Sequence, residues 1–309
     1  MWSSVRYRLA SPVLLGVNAL RWLEGERRAK GFRILLFHGI SEEREAAFGQ
    51  LLEHLLKGQR ILSPGEAETW VDGSAQQIQH EHTPFLLTFD DGFLSNARLV
   101  KNVLSPNGVK AVFFVCPGLM DLPPASQREA VARSYVDSRS AKCAPLSEHT
   151  LMSWSELEEL LALGQTIGSH GLSHQRLSSI RPGEQEREII GSADLLLQRL
   201  GMPVRWFAFS FGDLGSIDEP SCRLVVRHYK FCCSGVRGLN SSGTDPCALA
   251  REQIDLAAPL AYQVCASEGA LDYPYARKAM RLQRMFRAAR SHVQAYPARA
   301  VESSASIDS

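Results

Sequence analysis

The chain has 309 residues, enough for one large domain or two small ones, and 45% of them are apolar, enough to bury a full core. Its formal net charge of +1 gives no footing for a nucleic-acid partner. The seven cysteines form no Cys-x-x-Cys pair, which excludes a zinc ribbon and leads us to expect free, buried thiols in a reducing compartment.

The segment 1–31 places Arg6 and Arg8 before a charge-free run from Leu9 to Leu20. That run is shorter than the roughly 20 residues of a membrane span. Pro12 and Asn18 interrupt it and no small-residue cleavage site follows, so a helix lying on the domain or on a membrane surface is expected rather than a secretory leader. Arg33–Phe37 reads as a first strand ending at His38. Glu43–Lys57 has Phe48, Leu51, Leu52, Leu55 and Leu56 at helical spacing and is stopped by Gly58. Arg60–Leu62 reads as a short strand, and Ser63 with Glu66 forms a capping box opening a helix to Val71. Asp72–Thr83 is a polar loop. Strand Phe85–Phe89, helix Ser95–Leu104 and strand Lys110–Cys116 follow. Asp121–Thr150 lacks a strong period and reads as an excursion over one face, with a helical piece near Gln127–Tyr135. Ser153 and Glu156 cap a helix through Leu163, before the strand Gln165–Ser169. Pro182–Leu200 is a long amphipathic helix bounded by Pro182 and Gly201. Val204–Phe209, Tyr229–Cys233 and Glu252–Leu256 read as strands, and Ser221–His228 as a helix.

Strand and helix alternate, which means a parallel sheet wrapped by helices, either a barrel or an open doubly wound sheet. In a barrel, reactive groups gather at the C-terminal ends of the strands. His38, Asp90 with Asp91, His170, Asp213 and Arg237 all fall at such ends.

Two stretches dominate: Thr88–Gly92, read TFDDG, and Ile167–His174, read IGSHGLSH. Alone, an Asp-Asp-Gly after a strand is an ordinary turn. Together the stretches supply two carboxylates, Asp90 and Asp91, and two imidazoles, His170 and His174, whose spacing lets them face the same way, as on one side of a helix turn. One carboxylate and two His form a ligand set for a divalent metal with a position left for water, and the other carboxylate is placed to act as a base. Such donors suit zinc first, and also cobalt, nickel or manganese. Gly171 follows His170, which excludes the His-Glu-x-x-His pattern of metalloproteases.

In these two motifs the sequence resembles the polysaccharide deacetylase family, the NodB-homology or carbohydrate esterase family 4 domain. Ile34–Ile40 (ILLFHGI), Val112–Gly118 (VFFVCPG) and Trp206–Gly212 (WFAFSFG) add to the resemblance, which covers roughly Phe32 to Leu256. It implies an α/β fold, a distorted (β/α) barrel with fewer than eight regular repeats. It implies Asp90 as the base, Asp91, His170 and His174 as metal ligands, and removal of N-acetyl groups from an amino-sugar polysaccharide; the apolar N-terminal stretch and the basic C-terminal helix, rather than the resemblance, suggest its lipid-linked precursor as substrate. The chain departs from the family in four places. No late Leu-x-Leu-His segment supplies an acid, no Trp follows Trp206, Ser210 stands where Pro is frequent, and Gly171 where Ser or Thr is common.

His38, at its strand end, is the expected substitute acid, with His228 a poorer one. Phe211 is placed to stack on a sugar, with Gly212 beside it for substrate or oxyanion. Arg251 is grouped with Phe211 and Gly212 for substrate or oxyanion, and reads either as orienting a catalytic carboxylate or as an ordinary surface ion pair. Phe93, Trp154 and Trp206 read as core. Two other functions fit the same pattern: hydrolysis of a small amide or imide, and a catalytically weak carbohydrate-binding or scaffold protein.

Arg277–Arg290 holds six Lys or Arg and no acid, with Leu282, Met285, Phe286 and Ala289 at helical spacing, while the rest of the chain is net acidic. A helix packed on the barrel with a solvated basic face fits this pattern, as does contact with an anionic membrane surface or an acidic glycan. The expected division is 1–31, a deacetylase-like domain 32–260, a basic helical region 261–294 and a disordered tail 295–309. The expected location is the cytoplasm, with the inner membrane face as the place of work.

Overall fold

The structure, a computed structural model, describes residues 31–58, 61–73, 82–135 and 150–295. The expectations for the N-terminal segment, for most of the Asp72–Thr83 loop, for the middle of the Asp121–Thr150 excursion and for the tail lie outside these residues.

Eight strands pair in parallel: β1 (Arg33–Phe37), β2 (Ile61–Leu62), β3 (Phe85–Phe89), β4 (Val112–Val115), β5 (Thr166–Ser169), β6 (Trp206–Ala208), β7 (Phe231–Cys233) and β8 (Glu252–Gln253). Their order is β7-β6-β5-β4-β3-β1-β8, with β2 on β3. β1 runs the full length of β3, while β2 takes Phe85 and Leu86 and β4 takes Thr88 and Phe89. Leu249 bridges Cys233 on β7, and three residues later Glu252 pairs with Leu35 on β1. The one segment therefore bonds to both ends of the sheet and closes it into a barrel, which decides against the open doubly wound alternative. No helix separates β7 from β8, so the helical repeat lapses there, as a barrel with fewer than eight regular repeats requires.

Every residue of β1, β3 and β4 is buried, the run of apolar side chains expected when both faces of a parallel sheet are covered. Alternation splits them between two cores. Leu35, Phe37, Leu87, Phe89, Phe113 and Phe207 face the helices, against Phe48, Leu51, Leu157, Ile189 and Val225. Ile34, Leu86, Val112, Phe114, Trp206 and Leu249 face the interior, where Ala67 and Val71 of the helix Pro64–Val71 join them. Both expected capping boxes form, Ser63 with Glu66 and Ser153 with Glu156. The long helix is one run of three pieces, Pro182–Glu186, a π turn Arg187–Gly191, and Ser192–Leu200. Several expected strands are trimmed, Lys110–Cys116 to Val112–Val115 and Glu252–Leu256 to two residues, because few residues of each segment find a neighbour.

The closing segment is locked by buried charge. Arg33 donates to Glu252 at 2.8 Å and to Asp272 at 2.6 and 3.1 Å, and Arg237 also bonds Glu252. Burial pushes the Glu252 carboxyl up to about 7 against the pull of the two arginines. Arg237 is thus a correction to the sequence reading: its guanidinium is held by Glu252 and the Gln253 carbonyl rather than offered at the barrel mouth. Removing one partner of a buried pair strands the other, so Arg33→Met should cost about 3–5 kcal/mol in urea denaturation. Lys57→Met, in an exposed helical pair with Glu53, should change the midpoint by less than about 0.5 kcal/mol.

Candidate active site

Strand alternation delivers the site. Leu86 and Thr88 point into the barrel, and Asp90 follows with the same parity at the end of β3. Gly168 faces Phe114 in the interior, Ser169 faces outward to Ser192, and His170 turns inward again after β5. The next residues must leave the strand path. Asp91 and His174 do so in left-handed conformations, at φ 78° and 60°, and Phe211 after β6 has φ 67°. Among the described residues these three are the non-glycine positions with positive φ, and all lie in this cluster. His174 therefore reaches the site by a strained loop, not by the helix turn that the spacing of the two His suggested.

His170 Nε2 and His174 Nε2 lie 3.5 and 3.6 Å from the same oxygen, Asp91 Oδ1. Donors about 2.1 Å from a tetrahedral zinc stand about 3.4 Å apart, so these three residues fit a divalent ion. A carbonyl only accepts, so the 2.7 Å contact between His170 Nδ1 and the Ala208 oxygen fixes the proton on Nδ1 and leaves the Nε2 lone pair facing the site. Burial, and then the neighbouring His170, hold the His174 pKa well below its ordinary value, so this ring is neutral. A ligand imidazole must be in that state.

Asp90 is the second carboxylate, 3% exposed, with Oδ2 3.8 Å from His170 Nε2. Arg251 grips it as a fork, Nη1 to Oδ1 at 2.7 Å and Nη2 to Oδ2 at 2.8 Å. Arg251 is itself 1% exposed and anchored through Nε on the Ser234 carbonyl. Burial alone would raise the Asp90 pKa, but Arg251, His170 and His38 together bring it below the ordinary carboxylate value. The carboxylate is left ionised, oriented and adjacent to the ligand set, as a base requires.

The other expected residues divide. His38 is exposed at the end of β1, near enough for its charge to act on Asp90 and His174. Phe211 is half-buried and lies against the His174 ring at a 4.9 Å centroid separation, with the Arg176 guanidinium 4.3 Å from its own centroid. Gly212 donates its N–H to the Phe209 carbonyl, and a Cβ there would stand 2.6 Å from the Gly235 nitrogen, so it allows two loops to touch. Arg251 is buried and forks onto the Asp90 carboxylate, the arrangement that orienting this carboxylate requires and one that a surface ion pair does not have. His228 ends the helix Glu219–His228, opposite the strand ends that hold the site. Trp206 and Phe93 are core, and the Trp154 indole bonds Asp121. A cavity of about 190 Å³ at the N-terminal ends of β5 and β6, lined by Gln165, Met202 and Arg205, includes none of the cluster. Sequence reasoning missed Glu188, buried beside the His170–His174 loop. The available signal was a carboxylate near Ile189 on the buried side of an amphipathic helix.

Residues 78–225 match the family described as polysaccharide deacetylase. A Bacillus subtilis (strain 168) relative, YxkH, named provisionally as a polysaccharide deacetylase, is 25% identical over 56% of this chain and 54% of its own length. The chain thus spans about half of that relative. Among solved structures, IcaB from Ammonifex degensii superposes at a TM-score of 0.60 and 21% identity, covering 78% of this chain and 98% of IcaB. The Streptococcus pyogenes deacetylase PplD, solved with acetate, gives 0.60 and 19%, covering 77% and 98%. The resemblance carried by the two motifs is thereby confirmed, and the fold is the distorted (β/α) barrel of these structures.

Replacing the arginine fork with one ammonium should weaken the hold on Asp90. With Arg251 in place, the stability Asp90 contributes is present above its unfolded pKa of about 3.9 and is lost as pH falls through its lower folded value. In Arg251→Lys that loss should begin at higher pH. The Asp90 carboxyl resonance, followed by NMR titration, should report a raised pKa; an unchanged value would remove Arg251 as its cause.

Proposed function

We propose that this protein is a metal-dependent hydrolase that removes N-acetyl groups from an amino-sugar polysaccharide or its lipid-linked precursor. The observation that carries this reading is the convergence of Asp91, His170 and His174 on one point, beside a separately held Asp90. Asp91 and the two Nε2 atoms would hold the ion, zinc in first place. When bound, it would polarise the acetyl carbonyl and make the attacking water more acidic. Asp90 takes the proton of that water, and Arg251 keeps its carboxylate ionised and its two oxygens in plane. His38, exposed at the same mouth, gives a proton to the amine nitrogen as the carbon–nitrogen bond breaks, so acetate and the free amino sugar leave. Phe211 offers an apolar wall beside His174 for a sugar face.

Acetate release from N-acetylglucosamine oligomers should be abolished by a chelator and restored by zinc. Asp90→Asn should lower turnover by about 10²–10⁴-fold while leaving bound metal, measured by elemental analysis, unchanged. Full turnover in that variant would overturn the assignment of the base.

We also propose that the protein adsorbs to an anionic membrane surface at the cytoplasmic face. The helix Ala276–Ala295 buries Leu282, Phe286 and Ala289 against the barrel, and Gln283, Arg287 and Arg290 bond the loop at 243–248. Its apolar stripe is therefore occupied. Arg277, Met280, Arg281 and Arg284 remain exposed at i, i+3, i+4 and i+7 spacing, after an almost fully exposed Tyr273. Among the described residues no helix is long and apolar enough to cross a membrane. Attraction would come from charge, at about 1 kcal/mol per cation near the surface. Co-sedimentation with phosphatidylglycerol vesicles should occur at low salt, fade at high salt and be absent with phosphatidylcholine. Arg277→Glu with Arg281→Glu and Arg284→Glu should abolish it; binding indifferent to lipid charge would refute it.

A further inference from the structure

We infer that Glu188, on the π turn of the long helix, is a positioning residue that holds His174 in its metal-binding pose; this rests on the metal reading above. Three residues separate His170, just past the strand end, from His174, and the path includes two left-handed positions, Gly171 at φ 82° and His174 at φ 60°. Nothing regular supports such a path, since these residues lie in neither helix nor strand. Glu188 supplies the support. It is 5% exposed, and its Oε2 accepts from the Ser173 N–H at 2.9 Å while Oε1 accepts from the Ser173 hydroxyl. One carboxylate thus fixes both donors of the residue directly before His174.

The π turn is what brings it there. Such a turn widens the helical bonding, and here the Ile189 carbonyl accepts from the Tyr229 hydroxyl at 2.8 Å and from the Ser192 hydroxyl at 3.0 Å. Ser192 in turn meets the Ser169 hydroxyl at 2.7 Å, and Ser169 accepts from the Gly171 N–H at 3.2 Å. The loop is therefore tied to the same helical turn twice, at Gly171 through hydroxyls and at Ser173 through Glu188. Gly171 and Glu188 are also matched in space. A Cβ on residue 171 would stand 3.0 Å from Glu188 Oε2, so the glycine that departs from the family pattern leaves room for this carboxylate.

The test is cobalt(II) affinity and the cobalt ligand-field spectrum of the full chain, titrated against a chromophoric chelator. Glu188→Leu fills the buried position but gives Ser173 no acceptor, and should weaken cobalt binding by about 10–100-fold and alter the spectrum. Glu188→Gln keeps an acceptor oxygen and should recover most of the affinity. Glu186→Ala, on the exposed side of the same helix, should behave as wild type. Wild-type affinity and spectrum in Glu188→Leu would overturn the inference. Should that variant not fold, Ser173→Ala decides: loss of the hydroxyl should weaken cobalt several-fold, and no change overturns the role. If the wild-type chain itself takes up no cobalt, the metal reading fails and this inference with it, an outcome distinct from one in which wild type and variant bind equally.

Discussion

The fork between Arg251 and Asp90 is the interaction on which the rest of the site depends. A carboxylate 3% exposed would ordinarily be driven towards its neutral form, and a neutral acid cannot act as a base. Two parallel charge-assisted bonds at 2.7 and 2.8 Å reverse that tendency and fix the plane of the carboxylate. The arginine is buried as well, and its Nε–H donates to the Ser234 carbonyl. The pair is thus complete before anything binds. A fixed, ionised group beside Asp91, His170 and His174 needs no reorganisation when charge moves, which is the condition for electrostatic stabilisation.

The fold supplies this pair through alternation and closure. Asp90, His170 and Arg251 lie on three different segments, and each shares the parity of the interior side chains below it, Leu86, Gly168 and Leu249. Asp91 and His174 cannot share that parity, being one residue past an inward neighbour or beyond a loop. They reach the cluster through left-handed backbone, at roughly 1–2 kcal/mol each for a residue bearing a Cβ. The buried ties from the π turn to the loop are what hold one of those conformations.

Much of this was legible in the chain itself. An apolar run such as Phe85-Leu86-Leu87 that ends in two acids gives strand, direction and reactive end together, and the same holds for Ile167–His170. The capping boxes at Ser63 and Ser153 were equally readable, because their chemistry is local. What could not be read depends on contacts between distant segments. Arg251 could be read as orienting a carboxylate, but not which one or in preference to a surface ion pair, because the contact joins it to Asp90 161 positions away and rests on barrel closure. Gly212 looked like part of a mouth because glycine after a strand so often is, yet its neighbour is Gly235. Arg237 stood at a plausible strand end but faced a buried Glu252. Glu188 hid in an amphipathic helix whose π turn leaves no plain mark in residue periodicity.

The seam between the first and last staves has a further meaning. The matched segment, 78–225, contains both aspartates and both histidines but neither His38 nor Arg251. A fragment cut to that segment would retain Asp90, Asp91, His170 and His174, and would lack the cation that forks onto the Asp90 carboxylate. The paired Asp90–Arg251 unit therefore extends beyond the matched segment, and the two strands at the seam, β1 and β8, come from opposite ends of the barrel sequence.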